Sequence, residues 1–306
     1  LVGSEMCIRD RLISQLLRYT CLLRWSEVTR RIEMKKLLAL SLAFLMTISL
    51  CCQALAVTTR ETATASSTSV KKTCSVDNCE YVAAAFVWVN PDNEPDGSFV
   101  GANSQVYSSD YSGKNVPAGY MGANARVYVD NSLRSSSGWT YNSGKGNAMG
   151  ASTGPFDVLL SPRRGIVFSQ SKFSLYNGDG YDEYTTNRTP NLDVSRIYPA
   201  FARAAICDPL PGEINVNAAG QTYGSGWLNP DLIDAVGIDG VRGYVLESEL
   251  DAVGRKSSPE DIVTNVPTTI PLYAEDGITV IGAFEVGPSQ VSEYSCLLYT
   301  SDAADE

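Results

Sequence analysis

The sequence contains no histidine. Without imidazole, the usual general base of Ser-His-Asp and Cys-His hydrolases is missing, and so is the commonest ligand of catalytic zinc. Cations are also scarce: 24 Lys and Arg stand against 34 Asp and Glu, a net charge of -10. Nowhere do they cluster. Phosphate binding needs a concentrated basic face, so the composition argues against nucleic acid as a partner. The main apolar run, Leu37 to Leu50, is shorter than the roughly 20 residues a membrane-crossing helix needs. Nothing after Val57 is apolar for long enough to span a bilayer. These absences predict a non-catalytic protein without a membrane span once its leader is removed.

The apolar run has the makings of a secretory signal. Lys35 and Lys36 follow Met34, the run comes next, and Ala54-Leu55-Ala56 supplies a small-residue cleavage site, so cleavage is expected after Ala56. Cys51 and Cys52 suggest a lipoprotein less well, because Leu50 stands where a small residue is expected. Residues 1–11 and 296–306 (LVGSEMCIRDR and CLLYTSDAADE) resemble translated sequencing adapter, and 12–33 read as untranslated sequence upstream of Met34. Residues 57–72 are Thr, Ser and Ala with little to bury, and are expected to be a disordered linker. Removing these ends leaves Cys74, Cys79 and Cys207. In an oxidising exterior Cys74 and Cys79 are expected to form a disulfide, leaving Cys207 free, with a bridge from either to Cys207 as the competing pairing. Three thiols without histidine do not suggest zinc.

The rest is expected to be mainly β. Tyr81–Asn90, Tyr120–Asp130, Gly138–Tyr141, Phe156–Leu160 and Gly165–Tyr176 read as short strands between Gly, Asn, Ser and Asp, several of them alternating apolar with polar. They predict an antiparallel β-sandwich-like domain over 73–207. Asp208-Pro209-Leu210-Pro211-Gly212-Glu213 disfavours both helix and central strand, and marks a boundary before a small β-rich module over 208–288. There Asp276-Gly277 predicts a hairpin turn between Ile270–Tyr273 and Ile278–Val286, and Asp239-Gly240 a second one. Ser258-Pro259-Glu260-Asp261 offers a short helix start.

Several motifs of the second module resemble secreted proteins of clostridia-like Gram-positive bacteria. They are Gly220-Gln221-Thr222-Tyr223-Gly224, Pro230-Asp231-Leu232-Ile233, Asp239-Gly240 with Gly243-Tyr244-Val245, and Ile270-Pro271-Leu272-Tyr273. A similar module resembles the extracellular tail of antibiotic-sensor-type membrane metallopeptidases, whose metal-binding motif is absent here. The central Ala118–Arg126 segment, Ser137-Gly138-Trp139 and Tyr176-Asn177-Gly178-Asp179-Gly180-Tyr181 resemble the body of the same secreted proteins. Asp239–Val245 with Leu250 also resembles SH3-like wall-binding modules. The resemblance implies secretion and transfers no activity.

Two site readings follow from the residues. Asp92, Glu94 and Asp96 before Gly97 resemble the opening of a calcium loop, but Asn103 stands where the bidentate Glu belongs, so a solvated acidic turn competes. No other cofactor is implied. Sixteen Tyr and four Trp supply flat faces for sugars or peptides. Tyr223, Trp227 and Tyr244 are the candidate ligand-binding residues, and packing within the sheet is the competing role for each. The expected function is a secreted binding or interaction protein at the cell envelope, with cell-wall polymer, peptide or surface protein as partner. A bacteriocin-like or signalling effector is one alternative. A carboxylate-dependent carbohydrate hydrolase is the other, since that chemistry needs no imidazole.

Overall fold

The computed structural model describes residues 63–91, 98–153, 156–157, 165–193, 205–207, 211–264, 266–288 and 290–294, all within one compact unit, Arg60–Glu306. The signal peptide, the adapter-like ends, the Asp92, Glu94 and Asp96 turn and the side chain of Cys207 lie outside the described residues.

The chain is mainly β, built on a long antiparallel hairpin of strands Glu80–Pro91 and Ser98–Ser108. Strands Ala63–Ser66 and Val70–Thr73 pair with its first arm, and Ala148–Ser152 joins its second. Gln290–Tyr294 closes that edge. The expected linker over 57–72 is therefore corrected in its described part. Short Thr, Ser and Ala side chains suit an edge strand, where the ladder supplies the partners and little apolar surface is required; only Ala65 and Ser67 are buried there. The strand Ser98–Ser108 was hidden by its composition, SFVGANSQVYS, which reads as a loop. Its Gly101 lies against the indole of Trp88, and a Cβ there would stand 2.4 Å from the ring. A loop-like residue is what close strand packing requires at that point.

Opposite this sheet lies a second layer of two sheets that share their strands' paths. Met121–Asn124 and Lys172–Tyr176 belong to a four-stranded sheet with Tyr181–Thr185 and Thr140–Tyr141. Beyond Ala125 the chain continues as Arg126–Val129, and before Gln170 it runs as Ile166–Ser169, both in an eleven-stranded sheet. Alternate residues of both layers meet in two cores. Val87, Val89, Val100 and Ala102 pack on Val127, Val129 and Val167, and Tyr81, Ala83, Val106 and Met149 pack on Met121, Phe173 and Leu175. This is the expected sandwich-like arrangement of antiparallel sheets.

The segment beyond residue 213 extends the larger sheet. Both predicted hairpins are present, Leu232–Val236 with Arg242–Leu246 and Thr268–Tyr273 with Val280–Val286. Strand Ser132–Ser136, from the upstream segment, pairs with both Leu232–Val236 and Val280–Val286. Five strands thus close into a ring around Leu133, Ile233, Val245, Leu272 and Phe284. The sequence on either side of 208–213 shares one sheet and one core.

Helix Glu247–Ala252 fastens to the outer face of the four-stranded sheet through a charge quartet. Arg126, with 2% of its side chain exposed, donates from Nη1 to both oxygens of Glu247 at 3.1 and 3.0 Å and from Nη2 to Asp251. Lys172 bridges the same two carboxylates. Burial opposes the charge on Arg126, but Glu247 and Asp251 outweigh it and raise its pKa. Burial would likewise raise Glu247, yet Arg126 and Lys172 prevail and hold it below its ordinary value.

Removing one member strands its buried partners, so Asp251→Ala is expected to lower stability by about 3–5 kcal/mol, read from the urea midpoint. Because the folded pKa of Glu247 lies below its unfolded value, its contribution is complete above the ordinary glutamate range and is lost as pH falls through the folded pKa. Acid titration of the melting temperature should show that loss, and Glu247→Gln should reduce it.

Candidate functional site

Residues 253–263 continue from the helix as a strap across the small sheet. Val253 O accepts from Trp139 N at 2.9 Å, Arg255 pairs with Glu183 at 2.6 Å, and Lys256 N donates to Tyr141 Oη at 3.3 Å. The approach is close because Gly254 lies against the Trp139 backbone, 2.3 Å from where a Cβ would meet its carbonyl oxygen. The predicted helix at Ser258-Pro259 is a turn, since the Asp261 carboxylate accepts from Ser257 N and Ser258 N at 2.7 and 2.9 Å. These N–H groups hold Asp261 below the usual carboxylate range.

Two clefts flank the strap. One, of about 380 Å3, lies beside Trp139, Tyr141, Lys256 and Ile262; the other, of about 320 Å3, beside Asp179, Tyr181, Arg255 and Lys256. A row of rings runs between them. Trp139 meets Tyr141 at 6.3 Å, Tyr141 meets Tyr181 at 4.8 Å, Tyr181 meets Tyr176 at 5.7 Å, and Tyr176 meets Tyr120 at 5.4 Å between centroids. Strand register builds the row, because Tyr176 is directly opposite Tyr181 and Tyr141 is opposite Gly122. A Cβ on Gly122 would stand 2.7 Å from the Tyr141 ring, so this glycine is what lets the ring lie down on the sheet.

The site has unused binding capacity. The Trp139 indole N–H is buried and has no partner among the described residues, an arrangement that costs free energy. Lys256 Nζ lies 5.5 Å from the centre of the Tyr141 ring, and Ile262 at the cleft wall is 94% exposed. Burial raises the pKa of Tyr141 and of Tyr181, whose hydroxyl donates to Gly119 O at 2.6 Å; both remain neutral hydrogen-bonding groups at physiological pH.

The residues singled out in the sequence are divided. Tyr223 and Tyr244 meet edge to face at 5.4 Å, and Tyr244 is directly opposite Tyr273. The Tyr223 hydroxyl donates to Glu275 at 2.5 Å, which pushes its pKa up to about 12. Trp227 lies apart from them, packed on the ring core in a short 3-10 turn, with Arg188 between its ring and Phe168 at 4.8 and 3.5 Å. The strap site was legible only in part: Trp139 and Tyr181 stand in the two segments, Ser137-Gly138-Trp139 and Tyr176–Tyr181, already named for their resemblance, but nothing local linked them to Lys256. Cys74 and Cys79 both carry free thiols. Among the described residues no group of three or more His, Cys, Asp or Glu is placed to hold a metal ion, and no helix is long and apolar enough to cross a membrane.

Trp227→Ala is expected to lower stability by about 0.5–3 kcal/mol in urea melts, because its side chain is only partly buried against the ring core, while the folded protein keeps its strap clefts. Compared with protein-family models, with curated proteins and with solved structures, the chain has no match.

Proposed function

We propose that the protein is a non-catalytic binding protein of the cell exterior, and that its strap clefts hold an acceptor-rich polymer of the envelope, either wall glycan or peptide. The observation that carries this reading is the buried, unpartnered indole N–H of Trp139 at one end of a row of rings. Tyrosine faces stack on sugar rings or peptide planes, the indole N–H takes one acceptor, and Lys256 supplies a charge at the junction of the clefts. Acidic residues elsewhere keep a secreted surface soluble. Asp261, the carboxylate in the larger cleft, is taken up by Ser257 N and Ser258 N and so belongs to the turn that shapes the strap.

The exterior setting is supported by the signal-like sequence and by the placement of two cysteines. Thr73 pairs with Glu80, and one step further Cys74 N donates to Cys79 O at 3.0 Å. Cys79 N turns instead to Asp77 Oδ1 and Cys74 O accepts from Asn78 N, so the two cysteines bracket one tight turn and stand close to each other. In an oxidising compartment the pair is expected to close. Mass spectrometry of protein recovered from the exterior should then find Cys74 and Cys79 linked to each other in one peptide; free thiols at both would refute the pairing.

Sedimentation with insoluble cell-wall sacculi tests the binding proposal. The folded wild type should pellet, Trp139→Phe should pellet several-fold less because the ring stays and the N–H goes, and Trp227→Ala that remains folded should pellet like wild type. A wild type that stays in the supernatant would remove wall polymer from the proposal, and growth inhibition of neighbouring strains by the same preparation would favour a diffusible effector.

A further inference from the structure

Strand Ser132–Ser136 carries a bulge. Val127 pairs with Ser135 and Tyr128 with Leu133, which leaves Arg134 as the extra residue. Bulges re-aim side chains at the ends and junctions of sheets. On its other edge the strand changes neighbour, from Ala235 opposite Leu133 to Val286 opposite Ser136. At that junction opens a cleft of about 400 Å3, lined by Arg134, Ser135, Val236, Phe284, Pro288 and Gln290 among others.

Arg134 is half-buried and, among the described residues, makes no hydrogen bond or ion pair. The three charges that act on it most directly are engaged elsewhere. Asp130 accepts from Ile166 N at 2.9 Å, Arg242 donates to Ser132 Oγ at 2.9 Å, and that same hydroxyl is bonded to Asp234. Burial first, and the Arg242 charge next, press the Arg134 pKa below its ordinary value, and the Asp130 and Asp234 charges offset them only in part. The Ser135 hydroxyl and Gln290 amide at the same cleft also lack protein partners.

We infer that this cleft binds a carboxylate carried on a short apolar stem, with Arg134 as its bidentate anchor. A planar guanidinium matches the two oxygens of a carboxylate, and Ile238 and Pro288, both exposed at the cleft, offer carbon surface to the stem. The exposed carboxylate of Glu285 also lines the cleft, and it disfavours a second negative charge on the ligand, which separates a monocarboxylate from a phosphate. The volume falls in the range of small-ligand pockets. This site shares no lining residue with the strap clefts, so it stands whether or not those clefts bind wall polymer.

The test is calorimetric titration of the full chain with N-acetyl-alanyl-alanine, its C-terminal amide, glucuronate and inorganic phosphate. Heat from the free dipeptide but not the amide supports the site, whereas heat from glucuronate alone, whose carboxylate sits on a polar ring, would overturn the apolar stem. Arg134→Met should weaken the bound carboxylate by about tenfold or more, and Arg134→Lys should recover only part of it. Both variants should melt at or above the wild-type temperature, because an uncompensated half-buried charge has been relieved or left in place. Binding that survives in Arg134→Met, preference for phosphate, or no binding of either carboxylate to folded wild type would overturn the inference.

Discussion

The buried quartet of Arg126, Lys172, Glu247 and Asp251 is the constraint on which the functional face depends. Arg126 comes from the large sheet, Lys172 from the small one, and both carboxylates from a single six-residue helix. A helix this short has no stability of its own. Its position is therefore fixed by charge pairing and by Leu250 in the ring core. The strap follows from the helix, and the clefts follow from the strap.

The architecture also explains why rings gather where they do. Residues 172, 174 and 176 point away from the core that takes Phe173 and Leu175, so Lys172 and Tyr176 emerge on the face the strap covers. One end of that strand makes the electrostatic clamp and the other contributes to the aromatic row. Anchor and recognition surface are thus two ends of one β-strand, about four residues apart, with little room for either to shift alone.

Much of the β character was legible from composition and alternation, and the two Asp-Gly turns were legible from their own chemistry. At Asp276 the carboxylate accepts from Ile278 N and Thr279 N, which holds the turn and delays the return strand to Val280. Strands rich in small polar residues were not legible. Ser98–Ser108 and Ala63–Ser66 look like loops because their pairing partners, not their own side chains, make them strands. The helix ESELDA was equally hidden, since two of its three carboxylates face a guanidinium 121 and 125 residues earlier in the chain. The strap site depended on such distant pairings, whereas Tyr223 and Tyr244 lie near each other in sequence, on strands that flank Leu232–Val236.

The strand that carries Leu133 has partners about a hundred and a hundred and fifty residues downstream, and the strand ending at Tyr294 returns to pair with Ala148–Ser152. Pairings so far apart must be reached through large loop closures, which makes the search for the native topology slow. A chain emerging in order from a ribosome or a translocation pore would hold its first sheets with an open ladder edge and an unfilled ring until its last strands arrived. During that interval the exposed edge is a template for other chains, so the gain of a single interlocked core is matched by a period of vulnerability to aggregation, and chaperoning in that window would matter more to yield than the stability of the finished fold.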